Sequence, residues 1–482
     1  MDFSVLPTTA FIHPDGKNQD EIAALLHQTI DLIIETMAQA TDRSPLPEPL
    51  VADSWSRLPE TSANIEQLLQ EVHSQLLHSM NAVHPGYIGH MDSIPTTLSV
   101  IGDLLVAVLN NNMLSVEMSP VFSRLETLVL QQVAKLFGLG PEANGVLVSG
   151  GSLANLQALI VARNIAFEAL DNGISLGQKP VFFVSEVAHT SFKKAAMVMG
   201  LGTKAAIPIA TNKNSQIDID DLKVKLIHAK NQEQQPFAIV ATAGTTVTGS
   251  IDPITEMAQI AKAHQLWFHV DAAYGGAVMF SNKYRYQLAG IELADSVTFN
   301  PQKWLYVAKT CAMVMFRQFD LLQQHFRILA PYMHNHDDWP NLGELTVQGT
   351  RHADILKLWL SLQHIGKDGY AAIIDHNYEL TQLFTEAIKA RPFLALASKP
   401  QMNLVCFRAE PAELPPDQWD HWNYQLQQWL LQNGNTFLSL PVYRGERWLK
   451  AVLLNPFTTA DHIQTLFEHI DSYTASHQHL YT

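Results

Sequence analysis

Cysteine is the scarcest feature of this sequence. Only Cys311 and Cys406 occur in 482 residues, too few for a disulfide framework or a four-thiolate zinc site. A reducing, cytoplasmic setting is expected. Basic charge is also short: 31 Lys and Arg stand against 46 Asp and Glu, a formal net charge of −15. That balance argues against the concentrated basic stripe of a nucleic-acid surface, but says little about a small substrate, because a pocket can oppose the sign of the whole. Long apolar runs are missing too. No stretch approaches the roughly 20 apolar residues that cross a bilayer, and the amino-terminal MDFSVLPTTAFIHPDG lacks the basic start and apolar run of a signal peptide. Neither a nucleic acid nor a membrane is an expected partner. No repeat or low-complexity segment breaks the chain.

What the chain does have is the balance of a well-packed globular protein, 47% hydrophobic and 16% charged. Its length exceeds one ordinary core, so one large domain with smaller additions is expected. From Gln19 to Thr41, residues Ile22, Leu25, Leu26, Ile30, Ile33 and Met37 recur at helical spacing. Ser44 to Leu50, SPLPEPL, then breaks the pattern with three prolines. A second helical pattern covers Ser62 to Ser79. Residues 1–83 thus read as a helical segment too exposed to stand alone, one that clamps onto a partner subunit. Residues 84–390 read as a large α/β domain. Short β-branched or aromatic runs (GVLVSGG, PVFFVS, FAIVATAG, LWFHVDAA) alternate there with helix-length segments, which implies βαβ units and a mostly parallel sheet. Residues 391–482, with strand-like NLVCFR and WLKAVLLN around a long helix, read as a small α+β domain.

Three motifs fall at strand ends of the α/β region, where ligands of parallel sheets bind. In SGGSLAN, Ser149 to Asn155, two glycines allow close backbone approach, and Ser152 opens a helix whose free N–H groups attract an anion. In HVDAAYGG, Asp271 ends an apolar strand, a costly place for a carboxylate unless it meets a cation or donors. A protonated pyridine nitrogen would be such a partner. In ADSVTFNPQKW, Lys303 follows Asn-Pro after a strand-like run, and a lysine in a cleft near other cations can lose its proton and form an imine. Each motif alone has a plain reading: a tight turn, a capped loop, a solvated lysine. Together they supply three parts of one pyridoxal 5′-phosphate (PLP) site.

In this order and spacing, SGGSLAN, HVDAAYGG and NPQKW resemble the group II PLP-dependent amino acid decarboxylases, among them glutamate, aromatic amino acid, diaminobutyrate and aspartate decarboxylases. The likeness runs from about His84 to beyond Trp359. It implies an α/β fold of type I, with a mostly parallel sheet of the seven-stranded kind, and a homodimer with active sites at the subunit interface. It implies Lys303 as the Schiff-base lysine, Asp271 against the pyridine nitrogen, Ala273 on one ring face and His189 on the other. Thr246 would lie near the ring, and Gly151, Ser152 and Asn300 would hold the phosphate. Ser93 would approach the substrate carboxylate. The implied reaction converts an L-amino acid to its amine and CO₂.

Two departures stand out. Gln302 occupies the position before the lysine where relatives carry histidine; it can hydrogen-bond a phosphate but cannot titrate near neutrality. In the stretch before Arg351, where relatives carry a proton-donating tyrosine, the sequence reads YMHNHDDWPNLGELTVQGTR, leaving Tyr332 and His336 as equal candidates. In the family, loss of that tyrosine goes with oxidative deamination to an aldehyde, so an aldehyde synthase is the alternative reading. His334, His336, Asp337 and Asp338 also cluster here, but such a group is more often a polar loop, and no metal is expected. His90, Met91 and Asp92 replace the aromatic wall of aromatic decarboxylases. Asp92 would favour a basic side chain unless it is only a loop cap. A substrate carboxylate would call for an arginine or lysine, which no motif places.

Overall fold

The computed structural model describes residues 6–51, 58–331, 333–334 and 339–477. Its centre is a sheet of β1 (Asn144–Val148), β2 (Pro180–Ser185), β3 (Ala206–Ile209), β4 (Gln235–Thr242), β5 (Trp267–Asp271), β6 (Ser296–Phe299) and β7 (Ala312–Phe316). The strand order is β1-β7-β6-β5-β4-β2-β3. Only β7 runs antiparallel to its neighbours β1 and β6; the other adjacent strands pair in parallel. This is the mostly parallel α/β architecture expected from the motifs. Its strands read as continuous apolar runs because both faces are covered: β1, β2, β6 and β7 are buried along their whole lengths.

The covering helices follow the strands. Helix Gly151–Phe167 leaves β1 and lies across β4 to β7, burying Ala154, Ala158, Leu159, Val161 and Ala162. Helices Ser191–Val198, Ile219–Asn231 and Ile254–Ala263 follow β2, β3 and β4. The crossovers set all five functional strand ends (β1, β2, β4, β5, β6) at one edge of the sheet.

The helix expected from Gln19 to Thr41 runs only Gln19–Ala38, followed by one tighter turn, Ala40–Asp42. The early stop has a local cause. Arg43 Nη2 donates to the Thr36 carbonyl at 3.0 Å and Asn81 Nδ2 to that of Ala40 at 2.8 Å, satisfying carbonyls that a longer helix would have used itself.

The carboxyl-terminal portion has its own core. β8 (Leu394–Leu396), β9 (Leu404–Ala409) and β12 (Leu449–Val452) form an antiparallel sheet in the order β12-β9-β8. A hairpin of β10 (Val442–Tyr443) and β11 (Glu446–Arg447) precedes β12, turning through Arg444 and Gly445, both at positive φ. Helices Trp419–Asn433 and Ala460–His477 pack Leu426, Leu430, Leu466 and Phe467 onto the sheet around Phe384 and Phe407. Phe384 belongs to the long helical stretch Ile355–Lys389, which breaks at Gly366 (φ +69°) and joins the two cores. The segment after His84 crosses back to this unit: Val452 N donates to the Ile88 carbonyl at 2.6 Å, and Ser439 Oγ to that of Gly89, also at 2.6 Å. That docking sets Asp92 and Ser93 between β12 and the large sheet. Among the described residues, no helix is long and apolar enough to cross a membrane.

Candidate active site

Lys303 lies in the loop after β6, and the loop is clamped on every side. Lys303 N donates to the Asn300 carbonyl at 3.0 Å, and Ser93 Oγ donates to the Lys303 carbonyl at 2.7 Å. Next in sequence, Trp304 is fully buried; its Nε1 bonds Asn377 Oδ1 at 2.7 Å and its ring stacks on Tyr274. The Tyr306 hydroxyl donates to the Leu454 carbonyl at 2.7 Å. The lysine therefore projects from a fixed base into a cavity of about 360 Å³. Burial pushes its ammonium below the usual lysine range, opposed by Asp271 and Asp92 and assisted by Lys309. A lysine so placed has more of the free amine that imine chemistry requires.

Across that cavity Asp271 ends β5. Its Oδ1 accepts from Ala273 N at 3.1 Å and its Oδ2 from Asn155 Nδ2 at 2.9 Å. A carboxylate offers about four lone-pair sites, so two protein donors leave room for a further N–H. Behind it runs a buried chain. Asn155 Oδ1 meets His269 Nε2 at 3.0 Å, His269 Nδ1 meets Ser296 Oγ at 2.9 Å, and Trp267 Nε1 donates to Ser296 Oγ at 2.8 Å. Asn155 Oδ1 can only accept, so His269 carries its proton on Nε2. Burial, opposed by Asp271, pushes its pKa down to about 4, so the ring stays neutral and the chain fixes Asp271 without adding charge. Sequence reading missed Asn155 and His269 as parts of the site. Both stand inside quoted motifs, four residues after Gly151 and two before Asp271.

The other candidates line the same cavity: Gly151, Ser152, His189, Thr246, Ala273, Asn300 and Gln302. His189 Nδ1 accepts from Ser191 N at 3.2 Å, so Nε2 holds the proton. Burial and the Lys303 and Lys194 charges press its pKa down against Asp271. A Cβ on Gly151 would stand 2.8 Å from Asn300 Nδ2, so a side chain there would displace the Asn300 amide. Gln302 Oε1 accepts from Cys311 N at 2.5 Å. Thr242, unremarked in the sequence, also lines the cavity. Ser93 is set apart: its hydroxyl is committed to the Lys303 carbonyl. Tyr332 and His336 lie outside the described residues, as do Asp337 and Asp338 of the possible metal group. Among the described residues, one other group has ligand-like spacing, Asp103, His352 and Asp354, and there Lys357 Nζ already bonds Asp103 at 3.0 Å and Asp354 at 2.8 Å.

A mostly parallel sheet with a lysine and an aspartate facing one another at its carboxyl edge is the frame of a PLP enzyme. Residues 47–410 match the pyridoxal-dependent decarboxylase conserved domain, and the chain belongs to that family. It is similar to mouse CSAD, with 26% identity over 94% of this chain and 99% of that one and a TM-score of 0.87. It is also similar to the glutamate decarboxylase domain of the diaminobutyrate-pyruvate transaminase and L-2,4-diaminobutyrate decarboxylase from Vibrio parahaemolyticus. There the identity is 25%, the coverage 97% and 98%, and the TM-score 0.84. The 4-hydroxyphenylacetaldehyde synthase of Rhodiola rosea shares the fold at 22% identity, with 95% and 98% coverage and a TM-score of 0.86.

The cavity fits the PLP that this family uses. Asp271 has acceptor capacity for a ring N–H. Asn300 Oδ1 and Thr242 Oγ1 are buried without a hydrogen-bond partner among the described residues, an arrangement that a bound polar group would relieve. The amino end of helix Gly151–Phe167 opens on the same space, as an anion requires.

Proposed function

We propose that this enzyme decarboxylates an L-amino acid to the corresponding amine and CO₂, with Lys303 as the residue that carries PLP. The observation that supports this most is that Lys303 and Asp271 line one cavity, the lysine's backbone and the aspartate's carboxylate each held by its own network. When bound, PLP supplies an aldehyde that takes up amino groups and a ring that accepts the electron pair left on Cα as a bond breaks. The protein's part is to hold, orient and exclude. Asp271 would keep a proton on the ring nitrogen, and the neutral chain through Asn155 and His269 keeps Asp271 from turning away. Gly151 and Ser152 offer backbone N–H groups to the phosphate; Asn300 and Gln302 add side-chain contacts. His189 and Ala273 would cover the two ring faces, and Thr246 would stand at its side. Lys303 would hold the cofactor whenever no substrate is bound. The proton that replaces CO₂ at Cα comes from the Tyr332 hydroxyl or the His336 imidazole. Ser93, through its bond to the Lys303 carbonyl, positions the lysine loop and borders the substrate.

The enzyme acts as a homodimer in this reading, supported by apolar faces on helices Gln19–Ala38 and Thr97–Leu109 that no other described residue covers.

Two measurements test the proposal. Lys303→Ala should abolish the visible absorbance of the bound cofactor and lower CO₂ release by at least about a thousandfold, as expected on removing a covalent catalyst. Unchanged absorbance would show that another lysine holds PLP. Assaying CO₂, amine, aldehyde and peroxide together over a panel of L-amino acids separates the two outcomes of the same bond cleavage. Amine without peroxide identifies a decarboxylase. Aldehyde with peroxide as the main products would instead identify a synthase, and the same assay on Tyr332→Phe and His336→Gln would show which residue supplies the proton.

A further inference from the structure

A second cavity, of about 640 Å³, is walled by the segment that joins β8 to β9, and the catalytic reading makes no use of it. Its other walls come from the second half of the long helical stretch, between Tyr378 and Lys389, and from the turn after β3, at Lys213 and Asn214. Sites for small molecules usually enclose roughly 300–1,000 Å³, so the space suits a ligand of metabolite size. None of its lining residues lies on helix Gln19–Ala38 or Thr97–Leu109, which makes it distinct from the apolar faces assigned to a second copy.

The lining groups decide what chemistry fits. Lys213, Lys389 and Lys399 share the cavity with one carboxylate, Glu386, and Lys389 Nζ already holds it at 3.0 Å. Among the described residues no carboxylate lies within ion-pairing distance of Lys213 or Lys399. Two unanswered cations on one cavity run against a chain whose net charge is −15. The neutral groups lean the same way. Gln287 Oε1 accepts from the Tyr378 hydroxyl at 2.7 Å, and Gln401 Oε1 from Ile251 N at 2.9 Å, so each glutamine keeps its amide N–H groups to donate. The rings are already occupied: Tyr284 stacks on Tyr378 at 3.8 Å and carries Lys283 Nζ over its ring. That leaves little room for a flat apolar ligand.

This cavity shares a wall with the catalytic one. Met402 lines it; a Cβ on Gly244 would stand 3.0 Å from Met402 Sδ, and one on Gly275 would run into its methyl group. Gly244 and Tyr274 line the cavity in front of Lys303, and the Tyr274 hydroxyl donates to Asn403 Oδ1 at 2.7 Å. Stacked rings make a second connection. Beyond the Tyr284–Tyr378 pair, Tyr378 stacks on Trp304 at 6.0 Å and Trp304 on Tyr274 at 5.1 Å, and Trp304 follows Lys303 directly. We propose that the cavity is a second ligand site, which takes a small organic anion bearing phosphate or carboxylate groups and alters the surroundings of the bound cofactor. Lys213 and Lys399 supply the charge, and Gln287 and Gln401 the neutral donors. Close packing leaves no slack between the two cavities, so a ligand that displaces Met402 or Tyr284 displaces what lies against the PLP ring.

The test titrates the holoenzyme with pyrophosphate, citrate and ATP at one ionic strength, held constant with KCl. Binding is read by calorimetry, and the cofactor by its visible absorbance. Comparing citrate with the other two separates a carboxylate ligand from a phosphate one. At least one probe should bind once per chain and shift the absorbance with the same half-saturation. Replacing two cations at once, Lys213→Gln with Lys399→Gln, should raise the dissociation constant about tenfold or more. The substrate-free absorbance and CO₂ release should not change in that variant. Lys223→Gln with Lys262→Gln, the same change of charge on helices Ile219–Asn231 and Ile254–Ala263, should bind as the parent does. The inference is overturned if no probe binds, or if binding leaves the absorbance unmoved. It is overturned equally if the Lys213 and Lys399 variant binds within twofold of the parent, or if both variants lose affinity alike. Calorimetry needs no turnover, so an enzyme that binds the anion yet releases no CO₂ from any amino acid would keep this site and sink the decarboxylase reading alone.

Discussion

Single side chains in this protein divide by whether their charge is answered. Asp271, Glu126 and Lys357 each have partners placed for them; Lys450, buried on β12, has no carboxylate within ion-pairing distance among the described residues and only a long contact to the Thr246 carbonyl at 3.4 Å. An unanswered buried ammonium is a stability cost whose sign with pH can be worked out. The folded pKa of about 8 lies below the 10.5 of an exposed lysine, so the unfolded chain holds the proton more tightly. The cost is present in full below about pH 8 and fades as pH rises towards 10.5. A shift of this size corresponds to on the order of 3 kcal/mol. Lys450→Met, which fills the same space without charge, should therefore raise the urea midpoint at pH 7, and the gain should shrink towards pH 10.5. A gain that does not change with pH would mean packing, not charge, was relieved.

Between elements, the most demanding joint is the buried pair of Arg351 with Glu126, at 3.1 Å and with both side chains almost wholly enclosed. Glu126 sits on helix Pro120–Leu136 and its Oε1 also accepts from Leu147 N at 2.9 Å, while Arg351 Nη1 donates to the Leu147 carbonyl at 2.9 Å. One ion pair thus fastens a helix, the edge strand β1 and the segment leading into helix Ile355–Lys389. Burial raises the Glu126 pKa and Arg351 opposes it, so Arg351→Met would leave a carboxylate with nowhere to discharge. The expected loss is about 3–5 kcal/mol, read as a lower urea midpoint, with cofactor absorbance lost early in the titration because β1 leads into Ser149 to Ser152. Neither the pairing nor the register of β7 was legible in sequence. Glu126 lies in a plain amphipathic pattern, and AMVMF is too short an apolar run to distinguish strand from helix. The parallel strands and the loops after them were legible, because glycine, aspartate and lysine at the ends of apolar runs are costly there without a ligand. Asn155 and His269 were quoted within motifs yet carried no signal of their own, since their importance comes from facing each other across a helix–sheet interface.

Taken whole, the molecule presents two apolar helix faces that no other described residue covers. On Gln19–Ala38, residues Leu26, Ile30, Ile33, Ile34 and Met37 are exposed; on Thr97–Leu109, Val100, Ile101, Leu104, Leu105 and Val108 are exposed. A chain with a formal net charge of −15 has ample polar surface elsewhere, and contiguous apolar faces of this kind mark association sites. Helix Thr97–Leu109 packs its other side on helix Ile355–Lys389, and Thr96 N donates to the Tyr306 carbonyl at 2.7 Å, three residues beyond Lys303. A second copy seated on this face would therefore brace the base of the catalytic lysine. Ile101 and Leu105 are one helical turn apart on the same face. With a second copy seated there, replacing both with glutamate would place four like charges in the interface, and should convert a sedimenting species of twice 53.7 kDa to the monomer. The cofactor absorbance should weaken in parallel as the Lys303 loop loses its support. A parent protein that sediments as a monomer at micromolar concentration would remove the second copy from this account, and with it the reason for these helices to be apolar on their outer sides.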